Sequence, residues 1–335
     1  MSKKQVNIIW FRNDLRTQDH PILAEASKSD LPVIALYCFE PRLYEDYFYG
    51  LKKTESYRAQ FIIEAVADLK NQLANLNIGF KISMYSPEKA LKELSQNFDI
   101  KTLFYQKEWT SEEVEVENNV KSTFPDLNYQ SEFAQLLFYP EDVPFENYKA
   151  VPQVFTNFRK QCQKQTQVRP IEEIQAQDPI EFIDFNSKNP SLENLGLKVF
   201  KKDTRSAFPY KGGETSAWER LDYYFWETEK LKYYKKTRNG LLGTDYSSKF
   251  SPWLAHGCIS PRQIYWQVKK FEKDIKKNQD TYWLIFELIW RDYFKYVSLK
   301  HGNAIFKIGG ILNKDYDWHR SKPAFKEWAE GRTKD

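Results

Sequence analysis

Glu287 and Arg291 stand four residues apart in the run Trp283-Leu-Ile-Phe-Glu-Leu-Ile-Trp-Arg-Asp-Tyr-Phe294, on one helix face with Trp283, Trp290 and Phe294. Residues 282–299 are apolar around almost the whole wheel, the pattern of a buried helix. A buried charge is costly unless it is paired or has a task. A carboxylate, a guanidinium and flat aromatics on one face suit the wall of a cavity for something planar and polar. The same pattern also describes a structural ion pair in a helical core.

A second group lies upstream, in Thr237-Arg-Asn-Gly-Leu-Leu-Gly-Thr-Asp-Tyr-Ser-Ser-Lys-Phe-Ser-Pro252. Gly240 and Gly243 permit tight turns, and Ser247, Ser248, Lys249 and Ser251 bring hydroxyls, amides and a cation to a helix start. That equipment holds a phosphate or diphosphate, and it also serves as a plain helix cap.

The elements that must position these groups fall into two textures. Val6–Phe11, Val33–Phe39, Ile78–Met84 and Ile100–Tyr105 read as short buried strands, with helices near 20–28, 54–76, 87–97 and 110–121 between and after them. Such alternation predicts a doubly wound parallel sheet, an α/β domain over 1–135. No Gly-x-Gly-x-x-Gly follows the first strand, so nothing points to a dinucleotide there. Residues 136–205 read as a long connector: six of the fifteen prolines fall between 140 and 200, and periodicity fades around one short helix near 154–161. Residues 206–335 read as an all-α domain. It has a helix over 214–232, starts at Ser251-Pro252 and Ser260-Pro261 with serine N-caps, and a long helix over 281–300 ending before Gly302.

Composition narrows the function classes. Three scattered cysteines and four unclustered histidines argue against a metal site and for a reducing, cytoplasmic setting. The apolar start is too short for a signal peptide, and no run reaches a membrane-spanning length. Residues 201–335 carry a balance of +10 against −6 for the rest, and they hold eight of the ten tryptophans. A basic, aromatic half suits a nucleic acid or a phosphate-bearing aromatic ligand, or a lysine-dotted surface over an aromatic core.

Phe11-Arg-Asn-Asp-Leu-Arg16, Lys53–Phe61, Gly212-Gly-Glu214, Thr237–Arg262 and Phe286–Phe294 together resemble the cryptochrome/photolyase family, in wording nearest the DASH cryptochromes. The resemblance implies an antenna domain followed by a helical FAD-binding domain. It implies light-driven, FAD-dependent repair of cyclobutane pyrimidine dimers, preferentially in single-stranded DNA, by a monomer. Carried over, Tyr234, Ser247, Ser248, Lys249, Phe250, Ser251 and Arg291 match flavin-side positions. Glu287 and Trp290 match the lesion cavity, where the glutamate donates a proton or hydrogen bond and the tryptophan packs on the dimer. Arg238 matches a DNA- or pocket-side basic residue, and Glu108 the carboxylate that contacts a folate antenna, 5,10-methenyltetrahydrofolate. Lys107 and Trp109 flank it here. Trp318 matches the outermost member of an electron-transfer relay.

In the family, the equivalent of Glu330-Gly-Arg-Thr333 is followed by further helices bearing the other flavin contacts and two relay tryptophans. The chain therefore reads as truncated at its C-terminus, with the helical domain incomplete and aromatic surface of 281–300 left open. Two other functions stay open: a blue-light photosensor without repair, and a remnant unable to hold flavin.

Overall fold

The computed structural model describes residues 3–48 and 51–334. A five-stranded parallel sheet is built from β1 (Lys4–Phe11), β2 (Val33–Cys38), β5 (Gly79–Ser83), β6 (Phe98–Gln106) and β7 (Asn128–Glu132), in the order β5-β2-β1-β6-β7. β3 (Asp46–Phe48) and β4 (Leu51–Lys52) form a small separate hairpin. Helices α1 (Pro21–Ser27), α2 (Ser56–Asn75), α3 (Pro87–Asn97) and α4 (Ser111–Thr123) link and cover the strands. β1 is central and buried on both faces, which is why it reads as a continuous apolar run rather than an alternating one. Ile8 and Trp10 pack on one side with Leu91 and Leu94 of α3 and Val116 and Val120 of α4. Ile9 and Phe11 face the other side, whose core runs on through Ala65 and Leu69 of α2 to Trp253, Cys258 and Ile289.

The four strands expected from sequence are all present, and β7 is an addition. Asn128-Tyr-Gln-Ser-Glu132 has no apolar run because it is an edge strand, paired only with β6 and largely exposed.

The helical part comprises α5 (Phe155–Gln165), α6 (Glu214–Asp222), α7 (Tyr234–Thr237), α8 (Ser251–Ala255), α9 (Pro261–Asp274), α10 (Gln279–His301) and α11 (Lys322–Ala329). The helix expected over 214–232 is interrupted. α6 ends at Asp222, and a wide π turn follows over Tyr223–Glu227. The turn is closed by Thr228, whose N–H and hydroxyl both donate to the Tyr223 carbonyl at 3.0 and 2.8 Å. Glu229 then takes a left-handed φ of +48° and redirects the chain. Ser260 caps α9 as expected, in a reciprocal box with Gln263 at 2.9 and 2.8 Å. Ser251 does not cap α8: it is the first helical residue, Phe250 occupies the cap position, and no side chain satisfies that end.

Three devices fasten the two parts. Asp19, held at φ +50°, is buried against Arg262 at 2.5 Å, accepts from Ser260 Oγ, and also accepts from the Glu172 N–H at 3.1 Å. Arg16 donates to the carbonyls of Asp19, Gly257 and Ala134 at 2.9, 3.1 and 3.1 Å. Glu214 at the start of α6 accepts from the Thr17 N–H, the Thr17 hydroxyl and the Gln18 N–H at 2.7, 2.9 and 3.0 Å.

Gly257 shows how close this approach is. Its φ is +67°, and a Cβ there would lie 2.2 Å from the Asn13 carbonyl oxygen. Gly257→Ala is expected to lower stability by about 3 kcal/mol, combining torsional strain with backbone displacement. Urea unfolding checks this, and a loss under about 1 kcal/mol would contradict the close approach.

His256, beside it, is buried, and burial together with the Arg58 charge lowers its pKa to about 4. Its unfolded value is near 6.5. Its contribution is therefore complete above pH ~6.5 and is lost as pH falls towards ~4, a swing of about 3 kcal/mol. His256→Gln should flatten that acid limb in denaturant titrations between pH 7 and 4.5.

Candidate functional site: a wall of α10 facing a turn of free amides

Four of the expected site residues converge around Tyr234. α7 is one short turn laid against the N-terminal half of α10, and Asp280 of α10 accepts from the Lys236 N–H at 3.2 Å. That contact brings the Tyr234 hydroxyl against the Ser248 side chain and within electrostatic reach of Glu287 and Arg238. Burial first, and the nearby Glu287 charge second, push the Tyr234 phenol up to about 12. It therefore stays a neutral donor across the working pH range.

The expected Glu287–Arg291 pair does not form. Glu287 pairs instead with Arg238 Nη1 at 2.8 Å, and both side chains are about a third exposed. Arg291 turns the other way and donates to the Gln135 and Leu254 carbonyls at 2.6 and 3.1 Å. The reason is local: Leu254 lies in the last turn of α8, where a helix leaves its carbonyls without partners, and a guanidinium satisfies two acceptors at once. Arg291 also lies beside Asp292, at 3.7 Å.

The helix is also less buried than its wheel suggests. Leu284, Ile285, Leu288, Ile289, Tyr293 and Tyr296 are buried, Trp283, Phe286 and Trp290 are half-buried, and Phe294 is exposed. Trp290 stacks on Phe155 of α5 with centroids 3.5 Å apart and planes at 12°, so the chain itself covers one of its faces. Trp283 lies under Lys235 at 4.3 Å and Arg238 at 5.8 Å.

The Ser247–Ser251 turn has a geometry that can hold an anion. Lys249 has φ +64° and Phe250 follows at φ −71°, ψ −14°. Left- and right-handed torsions in succession make a concavity of main-chain N–H groups. Among the described residues, nothing accepts from the backbone N–H of Ser248, Lys249 or Phe250. The Lys249 ammonium rests over the Tyr246 ring at 3.4 Å, a position from which it can swing to a phosphate. Residues Tyr234 and Ser247 to Ser251 thus fit a dinucleotide diphosphate, with α10 as a neighbouring wall.

Glu108 belongs to a different place, at the seam between sheet and helices. It accepts from Gln106 Nε2 at 2.8 Å, and its pKa is raised by burial. Lys295 of α10 is brought down to about 8 by burial, with the Arg291 charge acting in the same direction. Its ammonium lies 4.9 Å from the Trp109 ring centre. The side-chain oxygens of Gln106 and Gln135 are buried there without partners. Trp318 is on the surface, with its ring against Tyr316 at 5.7 Å.

Sequence reasoning missed Lys295, Asp292 and Arg220. Asp292 is buried and pins the strap after β7 by accepting from the Leu137 and Phe138 N–H groups at 2.8 and 2.9 Å. Burial nevertheless raises its pKa to about 6. The available signal was Asp292 and Lys295 beside Arg291, a cluster of charges within the apolar run of 282–299.

The DNA photolyase family model matches residues 7–178. A cryptochrome DASH from Gloeobacter violaceus is 41% identical, with 99% of this chain and 67% of that protein covered. One from Xenopus laevis is 40% identical, with 98% and 64% covered. The chain thus spans about two thirds of the length of these relatives. A solved cryptochrome from Synechocystis superposes with a TM-score of 0.89 at 37% identity, covering 99% of this chain and 69% of that one. A bacterial class III photolyase from Agrobacterium tumefaciens shares the fold, with a TM-score of 0.75 at 22% identity. Among the described residues no helix is long and apolar enough to cross a membrane. With the family model matched over half of the chain, relatives about 40% identical along nearly all of it, and the fold shared with the Synechocystis protein, the chain belongs to the DNA photolyase family, in its cryptochrome DASH branch.

Proposed function

We propose that the chain is a light-dependent flavoprotein that binds FAD at the Ser247–Ser251 turn and repairs cyclobutane pyrimidine dimers in single-stranded DNA. The observation that carries the reading is the convergence of Tyr234, Ser248, Arg238 and Glu287, which joins a turn of free amides to an aromatic, charged wall. FAD, when bound, supplies the photochemical electron. The chain's own residues hold and orient. The free N–H groups and Lys249 take the diphosphate, Tyr234 donates from its neutral phenol, and the half-buried Trp290 offers an aromatic surface to an unstacked base. Lys235, Lys236 and Arg238 face backbone phosphates, and a lesion already outside a duplex avoids the cost of extrusion. Once Arg238 leaves Glu287 for a phosphate, the carboxylate takes up a proton from solvent and then donates it, as a hydrogen bond or a proton, to the lesion. Trp318 is assigned the surface end of an electron path. Glu108, with Lys295 and the unpartnered Gln106 and Gln135 oxygens, suits a folate antenna.

The test is a single-stranded oligonucleotide carrying one thymine dimer, mixed with reduced protein under blue light. Loss of the dimer is expected; an intact dimer would remove the repair claim. The Arg238–Glu287 pair itself favours a second reading, a photosensor whose carboxylate stays engaged. That reading expects light-dependent partner binding with the dimer untouched.

A further inference from the structure

We propose that Arg220 of α6 is the positioning residue that aims the anion-binding turn, an inference that rests on the flavin reading above. Arg220 is 2% exposed. Its Nε donates to the Ser248 carbonyl at 3.1 Å, and its Nη2 to the Ser247 and Thr244 carbonyls at 2.9 and 3.0 Å. Nη1 meets the Asp245 carboxylate at 3.3 Å, and that carboxylate is itself held by the Tyr223 hydroxyl at 3.0 Å and by Lys230. One buried fork therefore gathers three carbonyls of a single turn.

The consequence follows from peptide geometry. In a trans peptide the carbonyl of one residue and the N–H of the next point in opposite directions. Among the described residues no peptide bond is cis. Drawing the Ser247 and Ser248 carbonyls towards Arg220 thus sends the Ser248 and Lys249 N–H groups away from it, and those are donors that nothing among the described residues accepts from. The same grip keeps the negative ends of these dipoles off an incoming phosphate. A lysine at this site keeps the charge but loses the fork that spans three carbonyls.

Flavin-fluorescence titrations of the full chain with FAD and with riboflavin, which has no phosphate, separate aiming from general folding. Arg220→Lys should weaken FAD at least tenfold and change riboflavin less than twofold. Asp245→Asn, at a partly exposed carboxylate, supplies a milder variant if Arg220→Lys does not fold; it should lower the FAD-to-riboflavin affinity ratio about threefold. Equal weakening of both flavins, or no change in either, would overturn the proposal. Inorganic pyrophosphate, followed by thermal shift, separates the two claims. Stabilisation present in the wild type and lost in Arg220→Lys upholds the positioning role even where FAD does not bind. A wild type that takes neither FAD nor pyrophosphate overturns both.

Discussion

Asp19→Ala is expected to cost about 3–5 kcal/mol of folding stability, the largest loss of any single surface-remote substitution considered. The carboxylate is fully buried and takes Arg262, the Ser260 hydroxyl and the Glu172 N–H at once. Removing it leaves the Arg262 guanidinium buried with no counter-charge, and one of its nitrogens, Nη1, already lacks a partner. The cost is that of the orphaned cation, not the net worth of the pair. The double variant Asp19→Leu with Arg262→Met should therefore recover a good part of the loss. Urea unfolding of wild type, both singles and the double closes the cycle. If Asp19→Ala costs under about 1 kcal/mol, the seam between sheet and helices is not held as described.

The second large effect concerns Glu287. Glu287→Ala should reduce dimer repair about 100-fold, the range for removing a positioned proton donor. FAD affinity should stay within about threefold, because the diphosphate is held elsewhere, at Ser247–Ser251. Glu287→Gln sharpens the assignment. An amide can donate a hydrogen bond but cannot deliver a proton, so partial activity points to hydrogen bonding and full loss to proton transfer. Stability should move little in either variant, since the Arg238–Glu287 pair is about a third exposed on both sides. Repair at the wild-type rate in Glu287→Ala would dismiss the residue from the chemistry.

Legibility in the sequence followed physical periodicity. Strands buried on both faces, such as Val33–Cys38, announce themselves as apolar runs, and α2 and α10 as long helical repeats. β7 did not, because an edge strand buries little and its polar residues look like a loop. The break after Asp222 was equally silent. It depends on Thr228 reaching back five residues, a choice that hydrophobic spacing does not encode. At the site, residue types were readable and partners were not. Helical spacing put Glu287 beside Arg291, yet the competing acceptors, Gln135 and Leu254 carbonyls, come from elements distant in sequence. Arg220 carried a faint signal, an arginine on the buried face with Ala217, Leu221 and Tyr224. Its partners, the Thr244, Ser247 and Ser248 carbonyls, lie in an irregular turn that hydrophobic spacing does not encode.

FAD binding at the Ser247–Ser251 turn is tested most directly by the absorption spectrum of the purified protein with quantification of released flavin. Flavin bands in the blue and close to one FAD per chain, retained through gel filtration, are expected. A colourless protein that takes up no FAD on reconstitution would contradict it.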